Sequence, residues 1–138
     1  MAALDDEVNG HLLPAVYASK NAELSRTIKL IRQFDMDLSP AMFSMSVNNA
    51  IPGLLSVTHK NRKPYTVIDS LSGLLPMAFL EASNLLQDFD KVKVVIFEEQ
   101  STIELNQQFA ANDPCFAAAF VISRGSELSL ELLDRASP

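Results

Sequence analysis

A short run of β-branched and aromatic residues, YTVID at 65–69, passes through Ser-Leu-Ser-Gly into a long apolar segment that reads as a helix over 70–87. No other feature limits the fold so strongly. β-Branched and aromatic side chains suit a strand. A helix that is apolar on most faces must be covered on most faces, which places it centrally and buried in a layered structure. A strand that runs directly into such a helix also brings backbone N–H groups and the positive dipole end to the intervening turn.

The remaining pattern extends this α/β arrangement. Residues 12–19 (LLPAVYAS) read as a buried strand. Asn21 stands where an N-cap belongs, with Glu23 in the first turn. Leu24, Ile28, Ile31 and Phe34 then recur at helical spacing, while Arg26, Lys29 and Arg32 lie elsewhere on the wheel. Ser39-Pro40 marks a turn or a helix start. Pro52 and Gly53 argue against one regular helix across 41–58 and favour a short bent helix from about Asn48. The basic stretch HKNRK at 59–63 reads as an exposed loop. Strands are expected over 92–97 and 116–123, with a short helix over 101–109 between them. Residues 126–132 (SELSLEL) alternate polar and apolar, as a half-exposed last strand would. The order β, α, α, β, α, β, β, β implies a largely parallel sheet with covered faces and antiparallel closing strands.

The chain of 138 residues has the size of one domain, expected over 1–138, with a polar and loose tail over 1–11. Eleven basic and seventeen acidic residues leave a net charge of −6, which argues against nucleic-acid binding by phosphate neutralisation. A content of 48% hydrophobic and 20% charged residues excludes a disordered chain. No apolar run is long enough for a transmembrane helix, and the acidic start is unlike a signal peptide. The lone cysteine, Cys115, excludes an intrachain disulfide and fits a reducing cytoplasm. His11, His59 and Cys115 lie far apart in sequence and leave little for a metal site.

The search for chemistry is correspondingly narrow. No P-loop, GxGxxG, HExxH, CxxC or GxSxG occurs, so no cofactor is expected. Glu98-Glu99 follows a strand and could mark the ligand-binding edge of an α/β sheet; a solvated strand end is the default reading. His59 sits among Lys60, Arg62 and Lys63, as a solvent-exposed loop histidine would. Cys115 opens an apolar strand and reads as a small buried hydrophobe. Asp69 and Ser70 could serve simply as helix caps. The junction itself is the strongest candidate, because Ser70 or Ser72 there could be an activated nucleophile facing an oxyanion hole.

Two segments carry a resemblance to a known family. They are SPAMFSMSVNNAIPGLLSV (39–57) and KPYTVIDSLSGLLPMAFLEA (63–82). With Ala18-Ser19 before them, and VKVVIFEEQ and CFAAAFVIS after them, they resemble the amino-terminal half of a β-ketoacyl synthase. The likeness is to the ketosynthase-like proteins of aryl-polyene and related lipid clusters. It covers about residues 12–123, on Ser39-Pro40, Phe43-Ser44, Ser46-Val47, Asn49-Ala50, Pro64-Tyr65 and Glu81-Ala82. It implies a thiolase-like half, with a mixed five-stranded sheet covered by helices.

The resemblance also implies a site. Ketosynthases carry the acyl chain on a cysteine at the start of the central helix. Here that position falls on Ser72, within a residue or two, and serine is a far poorer nucleophile unless a base activates it. The family's catalytic histidines and lysine lie in a carboxyl-terminal half with no counterpart here, and neither His11 nor His59 matches them. Such departures occur in chain length factors, inactive relatives that pair with a catalytic ketosynthase and shape its acyl tunnel. The pairing strand corresponds to Tyr65, Thr66, Val67, Ile68 and Asp69, with Asn48 and Asn49 close to the partner. The expected function is a non-catalytic, dimer-forming subunit of fatty-acid-like or polyene (polyketide) synthesis. It would bind a ketosynthase directly and an acyl carrier protein indirectly. A serine-dependent acyltransferase using Ser72 and a truncated domain acting only as a dimerisation scaffold are the alternatives.

Overall fold

The computed structural model describes residues 12–21, 24–33, 39–99 and 115–125. In chain order these form β1 (Ala15–Ser19), α1 (Leu24–Arg32), α2 (Pro40–Ser44), α3 (Ala50–Thr58), β2 (Tyr65–Asp69), α4 (Leu74–Leu85), β3 (Lys91–Glu98) and β4 (Phe116–Ser123). The strands make one mixed sheet in the order β2-β1-β3-β4. β1 pairs parallel with both β2 and β3, and β3 pairs antiparallel with β4.

Register decides which side chains share a face. Val16 lies opposite Thr66 and Val94, and Ala18 opposite Ile68 and Ile96. Side chains alternate along a strand, so these residues point to one face. There they meet Ala78 and Ala82 of α4 in the buried core. Two alanines one turn apart give the helix a smooth stripe that sits close on the sheet. Leu74, Leu85 and Ile122 close the edges of this cluster.

The opposite face belongs to α3. Tyr17 and Tyr65 meet there edge to face, with ring centroids 6.2 Å apart. Pro52 of α3 is buried, and a Cβ on Gly53 would lie 3.5 Å from the Tyr65 hydroxyl. β1 is therefore covered on both faces and all five of its residues are buried, as its unbroken apolar run requires. β3 alternates instead, with Val92, Val94, Ile96 and Glu98 buried and the residues between them more open.

Several expectations are adjusted. The apolar segment 41–58 contains two helices: α2, which opens at the expected helix start Pro40, and α3, the short helix expected from about Asn48, which begins at Ala50. Pro40 opens α2, and Pro52 falls within the first turn of α3, where its missing N–H forfeits no helical bond. α4 begins at Leu74, because residues 70–73 form the turn and Gly73 caps the helix at φ +68°. α4 is not buried on most faces: its buried residues are Ala78 and Ala82, while Leu75 and Leu80 are exposed. Its sheet-facing stripe is narrow because both its buried side chains are small. Cys115 is exposed, since it precedes an edge strand that is itself half open. Four strands are described where five are expected. The fifth, at 126–132, lies outside the described residues, as do the helix at 101–109, the tail at 1–11 and residues 22–23 after the cap expected at Asn21.

Candidate functional site

The junction of β2 and α4 stands at the carboxyl end of the parallel strands. β2 delivers Asp69 to that edge, and residues 70–73 turn the chain into α4. Gly73 takes a left-handed conformation that side-chain-bearing residues rarely adopt, which lets the turn close tightly before the helix starts. Ser70 and Ser72 are thus held in the turn and not in the helix. The Ser70 hydroxyl donates to the Ser72 carbonyl at 2.6 Å, so its proton is directed at backbone.

Ser72 is exposed on the outside of this turn. His59 lies at the other end of the sheet, beside a small cleft with Ala15, Tyr65 and Lys93, which start or nearly start their strands. The chain thus brings Ser72 and His59 to opposite ends of β2. Among the described residues no group of His, Cys, Asp and Glu is gathered closely enough to hold a metal ion.

A groove of about 540 Å³ runs beside the junction between α4 and the sheet. Ser70, Leu71, Leu75, Phe116 and Phe120 line it, and Lys20 and Glu98 stand at its polar end. Glu98 is buried at the end of β3. Its carboxylate accepts backbone N–H groups from Lys20 and from Asn21, the latter at 3.3 Å. Glu98 therefore anchors the turn after β1. Glu99 pairs with Arg26 of α1 at 3.7 Å. The Glu98-Glu99 pair is divided between an anchored carboxylate and an ion pair at the surface, and sequence reading alone offered no sign of that division.

The residues expected at a partner interface do come together. β2 is the first strand in the sheet order, so its outer edge faces away from β1. Asn48 and Asn49 lie beside its end, and Asn48 Nδ2 donates to Asp69 Oδ2 at 2.9 Å. Both asparagines and Asp69 are exposed, while Tyr65 to Ile68 are half-buried. Thr66 is tied to α4 through Glu81. Among the described residues no strand pairs with that outer edge, and an edge of this kind is a ready template for another strand.

Tyr17, beneath the opposite end of this edge, has its phenol pushed above the ordinary value of 10.0 by burial and, secondarily, by the neighbouring Tyr65. No helix of the described residues is long and apolar enough to cross a membrane.

Comparison with known proteins fits this geometry. A family model described as β-ketoacyl synthase, N-terminal domain, matches residues 2–137. A solved complex of the ketosynthase ApeO with its chain length factor ApeC from Xenorhabdus doucetiae superposes with a TM-score of 0.77 at 26% identity. That match covers 85% of this chain and 52% of the solved one. The ishigamide ketosynthase/chain length factor superposes with a TM-score of 0.67 at 19% identity, over 86% of this chain and 37% of that one, and shows likeness of fold. The chain thus spans about half, or less, of the solved chains it matches. No curated protein matches it by sequence.

Proposed function

Because the chain belongs to the β-ketoacyl synthase N-terminal domain family, we propose that it acts as a non-catalytic, chain-length-factor-like subunit. It pairs with a catalytic β-ketoacyl synthase in fatty-acid-like or polyene synthesis of the aryl-polyene type, and through it meets an acyl carrier protein in the cytoplasm. One feature carries this reading: by resemblance Ser72 takes the place of a ketosynthase's cysteine, and Ser72 lies exposed in the turn before α4. Ser70 beside it spends its hydroxyl on the Ser72 carbonyl. A serine hydroxyl needs an adjacent base to attack a thioester, and the nearest histidine in sequence, His59, sits at the far end of β2. Among the described residues no histidine stands beside Ser72 to support the serine-acyltransferase alternative.

The partner meets β2. Tyr65, Thr66, Val67, Ile68 and Asp69 present the edge, and Asn48 and Asn49 flank it. Strand addition there continues the sheet across the pair, and main-chain hydrogen bonds supply the contact. The acyl tunnel is shaped from the partner-facing side of this same edge.

Co-expression with a catalytic β-ketoacyl synthase of the aryl-polyene type tests the reading. Co-purification, with a change in product length when this chain is omitted, is the expected result. Separate elution together with unchanged product length overturns it. A serine-linked acyl adduct seen by mass spectrometry after incubation with an acyl thioester would restore the catalytic alternative.

A further inference from the structure

The end of α3 joins an apolar helix face to the most basic part of the chain. Pro52 is buried and Gly53 lies near the Tyr65 hydroxyl, so this side of the helix meets the sheet. Leu54 and Val57, one turn apart, are 52% and 75% exposed. α3 itself carries no charged residue. The chain leaves it straight into His59, Lys60, Arg62 and Lys63, all exposed. Residues 38–68 hold Lys60, Arg62 and Lys63 and none of the seventeen acidic residues of a chain whose net charge is −6. Lys93 lines the cleft beside His59 and adds a further cation at this end of the sheet. Lys63 lies over the Phe89 ring, next to Asp88 and Asp90, which leaves Lys60 and Arg62 as the principal cations of the loop.

Lys60 occupies a costly backbone position. At φ +52° it is the one non-glycine residue with positive φ among the described residues. Its N–H donates to the Val57 carbonyl at 3.1 Å, and the Asn61 N–H donates to the Ser56 carbonyl at 2.8 Å. These two bonds close α3 in the terminal motif that favours glycine at this place. A lysine here strains backbone that glycine would leave relaxed. Strain held at one surface residue points to a role for its side chain. What the side chain supplies is a cation at the rim of the exposed Leu54 and Val57.

We propose that the outer side of α3 and the loop 59–63 bind the surface of an anionic phospholipid bilayer. Headgroup phosphates would take Lys60 and Arg62, and Leu54 and Val57 would enter the acyl boundary. Two aliphatic side chains standing out from a short helix suit fluid acyl chains, which need no matching shape. The charge segregation favours an anionic surface, and the absence of charge from α3 favours one with an apolar interior.

Flotation of the full chain with vesicles tests this. Binding is expected to vesicles of equal parts phosphatidylglycerol and phosphatidylcholine, and not to phosphatidylcholine alone. High salt should weaken it, because the cations are exposed. Lys60→Gly should weaken vesicle binding by about fivefold, the share of one basic residue near an anionic surface, and should raise the melting temperature by relieving the strain. Val57→Ser should weaken binding by about tenfold. Both sites are exposed, and circular dichroism should show the variants folded.

Equal binding to both vesicle types, or to neither, overturns the proposal. So does a Lys60→Gly variant that is stabilised but binds as the parent does, since Lys60 would then be a structural accident. Binding that Val57→Ser leaves intact would mean contact through charge alone, as an acidic protein makes, and also overturns it. The measurement uses this chain without a ketosynthase, so failure of the pairing at β2 leaves it standing. Loss of vesicle binding once a ketosynthase is bound would assign the surface to that pairing and overturn the inference.

Discussion

Thr66 Oγ1 donates a hydrogen bond of 2.8 Å to Glu81 Oε1, joining the edge strand β2 to the one acidic side chain of α4. The bond settles two things together. It holds β2 against the helix that would otherwise support it only by apolar contact, and it draws the charge of Glu81 away from the helix's outer face.

Removing that bond should cost stability measurably. Hydrogen bonds to charged groups contribute more than neutral ones, and this pair is only partly buried. Thr66→Val is expected to lower the unfolding free energy by about 1–2 kcal/mol. Urea denaturation at neutral pH checks it.

Glu98 should prove more sensitive. Its two carboxylate oxygens serve two backbone N–H groups from the turn after β1. Glu98→Ala leaves both donors without this partner and should cost about 2–4 kcal/mol. Glu98→Gln keeps one acceptor and should cost about half as much. Thermal melts of the two variants, compared with the parent, would show this order; equal losses would contradict the assignment.

Two glycines predict opposite outcomes. Gly73 has φ +68° with open space around it, so Gly73→Ala meets no clash but strains the backbone, at a cost of about 1 kcal/mol. Gly53 lies within a helix, and its added Cβ would make ordinary contact with the Tyr65 hydroxyl. Gly53→Ala should leave stability unchanged or raise it by up to about 1 kcal/mol. Chemical denaturation of the pair separates the two cases.

Ala78 and Ala82 are both fully buried between α4 and the sheet. Ala82→Leu forces extra volume into this contact and should destabilise the fold by about 1–3 kcal/mol. A matched change at exposed Ser83, Ser83→Leu, should have little effect on unfolding. Equal effects at the two positions would mean that the helix packs on a different stripe.

Tyr17 makes stability depend on alkaline pH. Its folded-state pKa is raised, by burial first and by Tyr65 second. The unfolded chain therefore releases this proton at a lower pH than the folded one. Its contribution is fully present below the ordinary value of 10.0 and is lost as pH rises from there through the higher folded value. Tyr17→Phe should melt with a weaker dependence on pH above about 10 than the parent, and with the same dependence below about 9. Thermal melts across that range check the sign.

Much of this molecule follows from local pattern in the chain. YTVID and VKVVIFE are strands because β-branched residues fit a pleated surface, and both form where the pattern places them. The leucines and isoleucines after Asn21 recur at helical spacing and form α1. The junction that holds Ser70 and Ser72 could be singled out from the same information, because a strand, a short turn and an apolar helix follow one another in order; the choice of Ser72 came from the resemblance. Helical spacing and β-branching are properties of near neighbours, so a linear reading reaches them.

The tertiary structure decided what those neighbours could not. Glu98 anchors backbone that lies 78 residues earlier, and nothing near it in sequence distinguishes it from Glu99. The apolar helix α4 looked fit for burial all round, yet its two buried alanines show that the sheet covers one stripe and leaves the leucines outside. His59 and Ser72 lie close in sequence, but β2 separates them by its full length and holds them at opposite ends of one strand. The physical reason is the same in each case. Side-chain chemistry and periodicity dictate which elements form, whereas the environment of each side chain depends on which distant strand or helix packs against it.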